Sequence, residues 1–90
     1  MTADLLRLLL AASASDADDV VGRAGRRLRD AGHEAVLLGE VSSTVLREAV
    51  AVQEDVDATV VWTGTSLEVT GDDSAVREGL SELLAGLAGK

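Results

Sequence analysis

The chain has 90 residues, 47% of them apolar, with 16 acidic against 8 basic residues and a formal charge of −8. That apolar share excludes a disordered chain and predicts one domain over residues 1–90. The acidic balance excludes nucleic acid and anionic membrane surfaces as expected partners, and the lack of cysteine excludes disulfides, Cys-ligated zinc and thiol chemistry.

Leu5 to Ala11 is a nearly continuous apolar run, which predicts a strand covered on both faces. Arg7 interrupts it, Asp4 precedes it and Asp16, Asp18 and Asp19 follow it, so it reads as neither a signal peptide nor a membrane span. A cytoplasmic protein is expected. Ser15 is the expected N-cap of a first helix, with Asp16, Asp18 and Asp19 in its opening turn. Val20, Ala24, Leu28 and Ala31 form its apolar stripe, Arg23, Arg26, Arg27 and Arg29 fill its later turns, and Gly32 stops it.

His33 to Leu38 predicts a second strand, closed by Gly39. Ser42, Ser43 and Thr44 offer caps for a second helix, whose buried side is expected to be Val45, Leu46, Ala49, Val50 and Val52. Ala58 to Trp62 is rich in β-branched residues and predicts a third strand. Thr63 to Ser66 is a tight turn around Gly64, and Leu67 to Thr70 alternates as a returning hairpin strand. Asp72 or Asp73 caps a last helix with Val76, Leu80, Leu83, Leu84 and Leu87 on one face.

The order β-α-β-α-β-β-α predicts a small three-layer α/β domain of flavodoxin-like, or Rossmann-like, type. Its strand order is expected to be 2-1-3-4, with strand 4 antiparallel. The alternative is a two-layer α/β sandwich, as in the sulfur carriers of tRNA thiolation, which have the order β-α-β-α-β-β without the last helix and a Cys-Pro motif that this chain lacks. In the three-layer arrangement Glu34 to Leu38 is an apolar edge, a hazard that proteins cover. A partner is therefore expected, most simply a second copy forming a homodimer, or else a larger protein subunit.

Leu28-Arg29-Asp30-Ala31-Gly32, Glu34 and Gln53-Glu54-Asp55-Val56-Asp57 lie in a segment, Arg26 to Asp57, that resembles the cobalamin-binding domain of methylmalonyl-CoA mutase-like enzymes. The family's D-x-H-x-x-G signature, whose histidine coordinates cobalt, would fall on Ser15, Ala17 and Val20, and none of the three matches. The family's S-x-L element after strand 3 is replaced by Trp62-Thr63-Gly64. The resemblance thus implies the family's fold without its cofactor. A cobalamin carrier that uses no protein histidine is the alternative.

In an open parallel sheet the ligand crevice lies beyond the carboxyl ends of the strands at the switch point. Ser13, Ala14 and Ser15 on one side and Thr63, Gly64 and Thr65 on the other are expected to line it. These hydroxyls could hold a small polar ligand, which makes a small-ligand sensor a further alternative. His33 is the only imidazole and is expected to face solvent, so neither a transition-metal site nor a nucleophilic triad is predicted and the protein is not expected to be an enzyme. Arg23, Arg26 and Arg27, with Arg29, form the one basic cluster of an acidic chain and are candidates for binding a partner. Trp62, the sole aromatic residue, is a candidate interface anchor. The expectation for function is a non-catalytic binding or assembly module, resembling a degenerate cobalamin-binding domain and serving a larger enzyme as accessory subunit.

Overall fold

The computed structural model describes residues 5–16 and 18–87. Seven elements follow one another: β1 (Arg7–Ala12), α1 (Val20–Asp30), β2 (Glu34–Glu40), α2 (Thr44–Glu54), β3 (Ala58–Trp62), β4 (Leu67–Thr70) and α3 (Ser74–Leu83). The sheet order is β2-β1-β3-β4, with β1 parallel to both its neighbours and β4 antiparallel to β3. That is the α/β arrangement and strand order expected from the sequence. No helix among the described residues is long and apolar enough to cross a membrane.

β1 is central, which explains why its sequence after Arg7 is apolar: Leu8, Leu9, Leu10 and Ala11 have no exposed surface. Alternate strand residues point to opposite faces. Leu8, Leu10 and Ala12 stand in register with Ala58, Val60 and Trp62, and together they form one wall of the main core. Val20, Val21, Ala24 and Leu28 of α1 close that core, joined by Leu80 of α3 and by Leu84 just beyond it. Each fully buried leucine contributes about 1.5–3 kcal/mol relative to leaving it in water. Val76, Leu83 and Leu87 pack against the same cluster, so the α3 stripe read from the sequence is the face that meets the sheet.

Leu9, Ala11 and Val61 are buried on the opposite face, apart from that cluster. There Arg7 Nη2 donates to Glu54 Oε1 of α2 at 2.7 Å, which fixes α2 over this face and makes the domain three layers deep. The third layer is thin, since α2 has no buried residue.

α1 departs from the expected start. It begins at Val20, not after Ser15, so Asp18 and Asp19 lie outside its first turn. The Asp16 carboxylate accepts from the backbone N–H groups of Val20 and Val21 at 2.6 and 2.9 Å, satisfying two otherwise orphaned donors. Asp19 takes a left-handed conformation, φ 55°, to turn the chain into the helix. His33 also departs from expectation: it is half-buried, and its Nδ1 accepts from the Leu6 N–H at 3.2 Å, tying the loop before β2 to the start of β1.

Gly79 lies in the exposed part of α3, and a methyl group there would meet no heavy atom within 4 Å. Gly79→Ala is therefore expected to stabilise the domain by about 0.5–1 kcal/mol through helix propensity alone. A raised urea midpoint checks this; a lowered one would mean that α3 packs its outer side.

Candidate functional site

The carboxyl ends of β1 and β3 come together as the switch-point rule requires, but their loops are tied to each other. Ser13 N–H donates to the Trp62 carbonyl at 2.9 Å, and Ser13 Oγ lies 3.4 Å from the same oxygen. Trp62 Nε1 donates to the Ser15 carbonyl at 3.3 Å. Trp62 itself is 9% exposed and belongs to the core, where it has little surface left to anchor an interface. Thr63 Oγ1 accepts from the N–H groups of Thr65 and Ser66, so the threonine hydroxyl organises its own turn.

Gly64 explains its own identity. Its φ is +101°, and a Cβ there would stand 3.3 Å from the Ala14 Cβ. The two loops thus approach closely, and the positive φ itself favours glycine. Ser13 and Ser15 line a cavity of about 180 Å³ with Ala12, Ala14, Glu40 and Ser42, on the β2 side of β1; Thr63, Gly64 and Thr65 are not among its walls. A neighbouring cavity of about 270 Å³ is lined by Asp16, Asp19, Leu37 and Glu40, among others. Of the cobalt-signature positions, Ser15 is exposed and Val20 is buried in the core, while Ala17 lies outside the described residues.

The arginine cluster is bound to its own chain. Arg23 Nη2 donates to the Asp18 carbonyl, Arg26 pairs with Asp19 at 3.8 Å, and Arg27 Nη1 reaches the Leu83 and Ala85 carbonyls at the end of α3. Arg29 Nη2 donates to the Ala35 carbonyl of β2 at 3.2 Å. That contact bears on the apolar edge. β2 pairs only with β1, and its register slips so that Leu38 is left without a partner between Leu37 and Gly39. An irregular register and a guanidinium over an edge carbonyl both blunt edge-to-edge pairing.

Leu37 on the β2 edge remains 49% exposed, but the larger exposed apolar surface lies on α2. Val45, Leu46 and Val52 are 76%, 57% and 81% exposed, and Ala49 is exposed beside them. This corrects the expectation that Val45, Leu46, Ala49, Val50 and Val52 form the inward side: of the five, Val50 alone is half-buried. The row that turns toward the sheet is Arg47, Val50, Ala51 and Glu54, all half-buried. Two arginine contacts accompany that orientation: Arg7 on β1 pairs with Glu54, and Arg47 Nη1 donates to the Val41 carbonyl at 2.6 Å.

Beside the outward row runs a groove of about 570 Å³ between α2 and the far ends of β3 and β4. Ala51, Val52, Val56 and Ala58 give it apolar walls, and Glu48, Asp55, Asp57 and Asp72 set carboxylates along it. Asp57 Oδ2 accepts from the Arg7 N–H at 2.8 Å, whereas Glu48, Asp55 and Asp72 form no ion pair among the described residues. The sequence carries one sign of this surface. α2 has apolar residues at neighbouring as well as helically spaced positions, more than one buried stripe can use.

Comparison of the chain with protein-family models, with curated proteins and with solved structures finds no match.

Proposed function

We propose that this chain is a non-catalytic binding and assembly module, an accessory subunit that docks on a larger protein through α2. The carrying observation is the outward row of α2, with Val45 and Val52 at 76% and 81% exposure on a helix that buries none of its own residues. Apolar residues contiguous on one surface and edged by charge are a mark of interaction sites. A second open cavity, of about 520 Å³, lies among Val69, Ser74, Arg77, Glu78, Ser81 and Glu82, but Val69 is its one apolar wall. The switch-point loops close on each other through Ala14, Gly64 and Trp62, and the cavities of about 180 and 270 Å³ beside them are too small for a corrin ring.

In this reading the resemblance to cobalamin-binding domains reflects a shared scaffold that no longer holds the cofactor. The crevice hydroxyls of Ser13, Ser15, Thr63 and Thr65 then serve as turn and loop fasteners.

Two measurements test the proposal. In an extract of the source cells, the chain is expected to elute well above its monomer mass of 9.3 kDa. Addition of hydroxocobalamin to the purified protein is expected to leave the visible spectrum that of the free cofactor. Elution as a free monomer would remove the assembly function, and a stoichiometric spectral shift would establish the carrier in its place.

A further inference from the structure

We propose that the groove along α2 receives a basic, amphipathic segment of a different polypeptide, an inference that rests on the assembly reading above. The groove offers apolar walls from Val52, Val56 and Ala58 and carboxylates from Glu48, Asp55 and Asp72 that lack ionic partners among the described residues. A segment with apolar anchors at helical spacing and Lys or Arg between them satisfies both features at once. Charge complementarity of this kind steers encounter and fixes register.

A second copy of the chain fits this groove poorly. Two-fold pairing through α2 would set each acidic rim against its own duplicate, on chains that each carry −8. The arginines among the described residues are also drawn into contacts of their own: Arg7 with Glu54, Arg26 with Asp19, and Arg23, Arg27, Arg29, Arg47 and Arg77 with backbone carbonyls. Arg7 and Arg27 bridge separate elements, so recruiting them to a partner would loosen the fold. The positive charge is therefore supplied by another protein.

The probe is a fluorescently labelled helical peptide of Leu and Lys, roughly 14 residues long, with leucines at i, i+3, i+4 and i+7. Its binding to the intact chain is read by anisotropy, beside a control peptide with Glu in place of Lys. The Lys peptide is expected to bind, more weakly as salt rises, and the Glu peptide to remain free. Asp55→Lys with Asp72→Lys is expected to weaken binding at least about tenfold, and Val52→Asp likewise. Glu78→Lys with Glu82→Lys changes net charge equally on another face and is expected to leave affinity unchanged. Equal loss from both charge pairs would overturn the groove, because binding would then follow net charge alone. Self-association abolished by Val52→Asp, without peptide binding, would overturn the basic occupant and leave the assembly function standing. Absence of both, with a monomeric mass in extract, would overturn the two together.

Discussion

Leu10→Ala is expected to lower the unfolding free energy by about 2–5 kcal/mol, a large share of the roughly 5–15 kcal/mol that holds a domain together. Leu10 is fully buried in the central strand, opposite Val60 on one side and Leu37 on the other. Above it lies Gly25 of α1, where a Cβ would stand 3.7 Å from the Leu10 side chain. Helix and sheet are already in close contact there, so the space left by the deleted atoms cannot collapse. Leu9→Ala removes the same atoms from an equally buried residue on the opposite face. Its expected cost is smaller, because α2 buries nothing of its own and can settle inward. Urea denaturation of the two variants checks the order; the reverse order would make α2 the principal cover of the sheet.

Val45→Asp combined with Val52→Asp is expected to change the stability of the isolated chain by no more than about 0.5 kcal/mol, as surface substitutions do. The same pair is expected to release the chain from its high-mass form in extract and leave it a monomer. Separation of the two effects is the diagnostic result. Residues that are 76% and 81% exposed have little to lose within their own chain, whereas an interface would have to desolvate two carboxylates. Loss of folding in the double variant would place these valines inside the domain.

Much of the fold was legible because local and tertiary preferences coincide. The nearly continuous apolar run of β1 marked a central strand, and two short β-α-β units led to the order β2-β1-β3-β4. The α3 stripe contained one apolar row, so only one face could be buried. α2 was not legible for the converse reason. Its apolar residues fill two adjacent rows, and the row nearer the sheet carries Glu54, whose partner Arg7 lies 47 positions away. No helical period encodes that pairing.

The start of α1 misled in a similar way. Ser15 followed by three acids resembles a cap, yet the Asp16 carboxylate binds the first helical N–H groups directly and moves the start to Val20. The candidate crevice could be located from strand order alone, but its closure could not. Whether Thr63 Oγ1 faces a ligand or its own turn depends on the hairpin geometry set by Gly64. The groove beside α2 joins residues of a helix, a strand end and a later turn, and charge counting saw only the total.

The most direct test of an outward, partner-seeking α2 uses the absence of native cysteine. In Val52→Cys the single thiol is expected to react rapidly with maleimide in the purified chain and to be shielded in extract, while Glu78→Cys on α3 reacts in both. Equal labelling of the residue-52 thiol with and without the cellular components would contradict the account.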